Sequence, residues 1–402
     1  LLKINHLRVM APTSGVDQKS IEELFRASLI RLLLPVRCAA KFTKNLLWFT
    51  YQARRNNMRK LKSKYMLGTC IVGSIFSAGA AEQVAAINNT GRAEAMSAWE
   101  TTLKHEAPAM EGCFSSTFPD MGWQAVRCGA PPKLVMKPRH LTSSNVRTDT
   151  DNRVLITGDG DDYAARTGRL THSAVGSFPS VSGVTTGVVQ YSLQINTNND
   201  SNPAACAKFG FSSCKTWQQY LYSSDADEDS SNGFDPVIFI ESWVFADSTS
   251  EYEAAGCPSG WDAYEGNACL INSESVRVPL VPVSGIAGVK LTGSATSGGV
   301  DTVSFSVNGR AYSVSQRAST VDINKIWRLT EFNIFGNGAR TQTVSFNRGS
   351  HVTVNVAVND GTTNAPTCLG NAGKTFEQNN LTRGSCTTFG GASPGISFPQ
   401  SN

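Results

Sequence analysis

The run HVTVNVAVN, His351 to Asn359, constrains the fold more than any other feature of the chain. Val352, Val354, Val356 and Val358 alternate with Thr353, Asn355 and Ala357. A period of two puts the valines on one face of a strand with one buried side. The same texture recurs from about Leu155 onward. YSLQINT sets Tyr191, Leu193 and Ile195 against Ser192, Gln194 and Asn196, and GVKLTGSA and DTVSFSV each suit one strand. NGRAYSV turns through Asn308-Gly309 like a hairpin. VIFIESWVF, Val237 to Phe245, is a nearly continuous apolar run, as in a strand covered on both faces. Many short strands, Gly/Ser/Asn turns and little helix predict a mainly β chain, an antiparallel β-sandwich or jelly roll. VDINKIW, Val321 to Trp327, is the one later helical candidate.

The front of the chain differs. Residues 1–80 carry a net charge of +11, 14 Lys and Arg against 3 Asp and Glu, whereas the rest carries −7, 22 against 29. The overall +4 is therefore no sign of a phosphate-binding body, and nucleic-acid partners are excluded for it. Met58 opens a basic head (Arg59, Lys60, Lys62, Lys64), followed by the apolar stretch Met66–Ala80 and the small residues Ala78, Gly79, Ala80 and Ala81. That pattern predicts a secretory signal over 58–81, with 1–57 as an upstream extension. The expected location is secreted, extracellular or periplasmic, with no membrane partner after cleavage. Residues 82–145 read as a helix (Gly91 to Ala107, stopped by Pro108), a small disulfide lobe and a Pro-interrupted linker, either a fixed appendage or a propeptide. The sandwich then spans 146–402.

Eight cysteines lie beyond the signal, in four close pairs separated by 15, 8, 12 and 18 residues. Chain proximity predicts Cys113–Cys128, Cys206–Cys214, Cys257–Cys269 and Cys368–Cys386 in an oxidising compartment. No pair has zinc-ligand spacing, so no metal is expected. The acidic runs Gly158 to Tyr163 and Asp225 to Asp229 lack full EF-hand spacing and read as solvated turns.

Polar residues that interrupt apolar strands are the candidates for chemistry: Gln194, Glu241, and Glu331 with Asn333 in LTEFNIFG. A carboxyl on a sheet face is partly desolvated, which raises its pKa toward acid/base use. Taken singly, each reads first as a hydrogen-bonded structural residue at a sheet margin.

GCFSSTFPDMGWQAVRC, YSLQINTN, KTWQQYLY, CPSGW, LTEFNIFGNG and EQNNLT together resemble a family of secreted bacterial β-sandwich proteins whose activity is not established. Over roughly residues 165–360 the chain is also distantly similar to the glutamic peptidases (eqolisins). Gly168 to Val181 stands where that family begins its concanavalin-like sandwich. Leu193-Gln194 matches its Leu-Gln strand, Glu241 to Phe245 its aromatic segment, and Thr330-Glu331-Phe332 its Ala-Glu-Trp strand. The W-E-W-Y-P signature has no counterpart. The resemblance implies a catalytic Gln194/Glu331 dyad, a polypeptide substrate and no cofactor; separately, a monomer is expected. Two alternatives stand beside it. One is a non-catalytic glycan- or surface-binding module in which Trp217, Tyr220, Tyr222 and Trp243 stack on sugars. The other is a glycoside hydrolase using Glu241 and Glu331.

Overall fold

The computed structural model describes residues 91–92, 94–103, 108–138, 157–226, 233–338 and 341–402. The signal and the upstream extension expected over 1–81 lie outside the described residues. Among the described residues, no helix is long and apolar enough to cross a membrane.

Twelve strands of five or more residues carry the architecture. In chain order they are β1 (Gly112–Thr117), β2 (Ser173–Ser182), β3 (Ser192–Asn196), β4 (Cys214–Ser223), β5 (Val237–Ala246), β6 (Ala268–Asn272), β7 (Val289–Ser294), β8 (Val300–Val307), β9 (Arg310–Arg317), β10 (Leu329–Phe335), β11 (His351–Asn359) and β12 (Gly395–Ser401). They form two antiparallel sheets, β1-β9-β8-β7-β2-β11-β12 and β6-β5-β4-β3-β10. The second sheet is extended beyond β10 by the short strands Ala164–Arg166 and Thr367–Leu369. The fold is the β-sandwich class that the alternation predicts.

The core is built by the period of two. Leu193 and Ile195 of β3, Tyr220 and Tyr222 of β4, Ile238 and Ile240 of β5, and Phe332 and Ile334 of β10 all point inward. They meet Leu291, Val303, Phe305, Val354, Val356 and Phe398 from the opposite sheet in one buried cluster. Tyr222 stacks on Phe305 at 4.7 Å and Phe178 meets Phe332 at 5.2 Å, so aromatic pairs bridge the layers. The four valines of β11 are all buried. Asn308 and Gly309 have φ of 52° and 73°, as the two-residue β8–β9 hairpin requires. The short helix expected at Val321–Trp327 is instead a single 3₁₀ turn, Ile323–Lys325, preceded by another at Ala318–Thr320.

Gly293 on β7 lies directly beneath Tyr220. A Cβ there would come within 2.4 Å of the ring, which is backed by Trp327 at 5.5 Å. Gly293→Ala should therefore cost about 1–3 kcal/mol through overpacking, read as a lower urea midpoint. An unchanged midpoint would mean that the two sheets can separate locally.

All four disulfides join the neighbouring cysteines named from spacing. Bonds of this kind form in an oxidising compartment. The lobe closed by Cys113–Cys128 is not a separate appendage. β1 pairs with β9 over six residues, Gly112↔Ser315 to Thr117↔Arg310, so the front of the chain completes one sheet. The linker after it, residues 130–138, crosses the outer face of the other sheet.

Candidate functional site

The sheet β6-β5-β4-β3-β10 turns its second face away from the core, and that face is polar across its middle. One line of residues runs perpendicular to the strands. Asn272 is in register with Glu241, Glu241 with Gln219, Gln219 with Asn196, and Asn196 with Glu331. Gln194 and Asn333, also paired in register, form the next row. The same alternation that sends Leu193 and Phe332 into the core puts Gln194, Asn196 and Glu331 here.

These side chains are joined by hydrogen bonds. Asn196 Nδ2 donates to Glu331 Oε2 at 3.1 Å and to Gln194 Oε1 at 3.2 Å. Gln219 Nε2 donates to Gln194 Oε1 at 3.2 Å, and Trp243 Nε1 donates to Gln219 Oε1 at 3.3 Å and to Glu241 Oε1 at 2.9 Å. Gln194 and Glu331 thus share the face and a common partner, Asn196. Two further carboxyls complete the cluster. Gln194 Nε2 donates to Ser192 Oγ at 2.9 Å and reaches Glu377 Oε2 at 3.5 Å. Asn333 Nδ2 donates to Asp162 Oδ2 at 2.9 Å.

The face is covered. Gln194, Glu241, Trp217, Trp243, Glu377 and Asp162 are fully buried and Glu331 is 1% exposed. Residues 372–376 lie over Glu331, whose Oε2 accepts from the Lys374 N–H at 2.8 Å. Gly373 permits this approach, since a Cβ there would stand 2.9 Å from Glu331 Oε1. The linker 130–138 covers the other half.

Burial sets the electrostatics. It pushes Glu331 up to about 7, against the lowering effect of the Lys374 amide and Asn196. It likewise pushes Glu377 up to about 7. Burial raises Glu241 well above the ordinary range despite bonds from Trp243 and the Met136 amide. Asp162 rises for the same cause, reinforced by the charge of Glu331. Among the described residues, Glu331 Oε1, Asn196 Oδ1 and Trp217 Nε1 are buried with no hydrogen-bond partner. Such atoms are costly in a finished interior.

The structure separates the residues named from sequence. Gln194, Glu331, Glu241, Trp217, Trp243 and Asn333 share this face. Tyr220 and Tyr222 do not, because as even-numbered residues of β4 they point into the core opposite Trp217 and Gln219. A sugar-stacking role for Tyr220 and Tyr222 is corrected by that phase, and both hydroxyls are raised by burial. Glu241 and Glu331 stand three strand spacings apart, roughly 14 Å between main chains. The acidic turns are also not simply solvated, since Asp161, Asp162 and Asp225 are buried. Glu377, Asp162, Asn196 and Gln219 join the site without standing out in the sequence. The polar phase of YSLQINT and WQQYLY is the signal available for Asn196 and Gln219. Among the described residues, one cluster has metal-ligand proximity, Cys113, Cys128 and Glu274. Its two sulfurs are bonded to each other and offer no thiolate.

Neither family models nor curated proteins give a match to this chain, so the reading of the site rests on its own geometry.

Proposed function

We propose that the chain is a secreted acid hydrolase of peptide bonds, with Glu331 as general base and acid and Gln194 as oxyanion donor. The observation that carries this reading is the Glu331 carboxyl. It is buried, has one oxygen without a partner, and is joined through Asn196 Nδ2 to the Gln194 carboxamide oxygen on the same sheet face. Gln194 Nε2 donates to Ser192 Oγ and Glu377 Oε2 until an oxyanion replaces them. In the reaction, ionised Glu331 takes a proton from water as the water oxygen bonds to the peptide carbonyl carbon. The Gln194 Nε2–H donates to the oxyanion. The Glu331 carboxyl then returns the proton to the amine as the C–N bond breaks. Asn196 orients both groups.

Degradation of casein by the full chain across pH 2–7 tests the reading, alongside a variant with the covering linker loosened (Leu134→Ser with Met136→Ser). That variant also loosens residues 372–376 over Glu331, because they are held to the linker by the Phe376 N–H to Lys137 carbonyl bond and the Pro138–Thr375 bridge. Turnover should appear with the loosened chain. Gln194→Ala in that background should lower kcat by about 10²–10³-fold, the usual cost of one oxyanion donor. Absence of turnover in both proteins at every pH, with native circular dichroism, sinks it.

A further inference from the structure

Residues 131–138, PPKLVMKP, cross the polar sheet face in an extended path without joining a strand ladder; a single bridge, Pro138 to Thr375, is their one β pairing. Their main chain is held by side chains that rise from the sheet and its cover. Asn272 Nδ2 donates to the Pro132 and Leu134 carbonyls at 2.9 and 2.8 Å. The Met136 N–H donates to both oxygens of Glu241 at 3.1 and 3.3 Å. The Lys137 N–H donates to Glu377 Oε1 at 2.8 Å, and the Lys137 carbonyl accepts from the Phe376 N–H at 3.0 Å. Leu134 and Met136, both fully buried, fill a pocket of Leu221, Val237 and Phe239. Val135, on the opposite side of the chain, packs against the Trp217 and Trp243 cluster.

This is how a peptide ligand is held, not how a built-in strand is. Main-chain groups are read by carboxyls and a carboxamide, and alternate side chains drop into apolar pockets. The partners are also costly to bury for structure alone: two carboxyls serve two backbone amides, where a sheet edge supplies neutral carbonyls. The segment carries no acidic residue and two lysines, while the face beneath carries Asp162, Glu241, Glu331 and Glu377.

We infer that this face is a peptide-binding groove, that residues 131–138 are its internal occupant, and that its ligands are extended peptides with apolar residues at alternate positions and no acidic residue. The inference deepens the hydrolase reading by naming its substrate class, and rests on that reading only for the fate of a bound peptide.

The probe is a fluorescent, end-blocked peptide of sequence PPKLVMKP, followed by anisotropy. The Leu134→Ser/Met136→Ser chain should bind it saturably and at least tenfold more tightly than the parent chain does. It should ignore a peptide with Leu and Met replaced by Asp. Adding Glu241→Ala should weaken binding at least tenfold. A folded loosened chain that binds the probe no better than the parent overturns the inference. If the loosened chain does not fold, amide exchange in the parent chain decides. The Met136 and Lys137 amides should exchange through an opening that leaves β4 and β5 protected. Exchange of all of them together, only on global unfolding, shows the segment to be fixed core and overturns the inference. The assay reads no bond cleavage, so binding without turnover removes the hydrolase reading and leaves this one standing, and turnover without probe binding does the reverse.

Discussion

Replacing Glu331 by Gln in the loosened chain should lower casein turnover by about 10²–10⁴-fold, the worth of a positioned general acid/base. An amide cannot take the attacking water's proton, and it cannot return one to the leaving amine. The fold should survive, because Gln matches Glu in shape and can still accept from Lys374 N–H and Asn196 Nδ2 at the oxygen that receives them now. The effect should separate from binding: KM for the casein substrate and affinity for the PPKLVMKP probe should stay within a few-fold, since Glu331 touches neither Met136 nor Lys137. The pH profile gives a second check. Under its cover Glu331 stays protonated to about 7 and has no basicity to offer in acid. Once the cover lifts and water returns, the burial that raised it is relieved, and the carboxylate forms at lower pH. The acid limb of the kcat profile should therefore lie well below 7. A Glu331→Gln chain with parental kcat would end the assignment.

The closed protein should be most stable near pH 4–5 and lose several kcal/mol by pH 8. Glu331 and Glu377 move from an ordinary 4.5 to about 7 on folding, and Asp301, buried beside Gln218, moves from 3.8 to about 7. Between those limits the folded chain binds more protons than the unfolded one. Stability from a raised carboxyl is complete below the unfolded pKa and is lost as pH rises through the folded one. Shifts of that size are worth about 3–4 kcal/mol per group, against a total stability of about 5–15 kcal/mol for an ordinary domain. Asp322 and Asp360 act in the opposite sense. Partial burial works to raise both, but Lys208 and Lys325 outweigh it at Asp322, and hydrogen bonds from Thr362 outweigh it at Asp360. Both carboxyls are therefore lowered, and their contribution is present above about pH 4 and lost below it. The two windows leave the maximum between them. Urea unfolding at pH 4.5 and 8 measures the difference, and Glu331→Gln with Glu377→Gln should reduce the slope without abolishing it, since Asp301, Glu241 and Asp162 are raised by burial as well. A chain as stable at pH 8 as at 4.5 would mean that water reaches these carboxyls in the folded state.

Local pattern carries the sandwich and half of the site. The valines of β11, the Asn308-Gly309 hairpin and the four cysteine pairs are properties of neighbours in the chain, and neighbours are what a sequence displays. Gln194 and Glu331 can be placed on one face because each sits in a strand whose apolar phase is unambiguous. Tyr220 and Tyr222 look like binding residues only while aromatic content outweighs the same period of two. Glu377 is out of reach for another reason. It lies in an irregular stretch with no phase, and it gains its meaning from the Lys137 N–H, 240 residues away. Asp162 is similar: five of the six residues of GDGDDY are Gly or Asp and read as a turn, yet Asn333, 171 residues on, draws the carboxyl inside. That the linker lies over the groove is a long-range fact of the same kind.

The Cys113–Cys128 bond has a further consequence for anything that competes for the groove. It ties the start of the linker to β1, and β1 is fastened along β9. A cut made beyond Pro138 would free one end of PPKLVMKP without releasing it. A tethered ligand acts at an effective concentration of about millimolar order, whatever the protein concentration. Dilution and dialysis therefore leave the groove filled. A free peptide must outcompete that local concentration; reducing Cys113–Cys128 lengthens the tether and lowers that concentration, but the main chain from β1 still holds the segment.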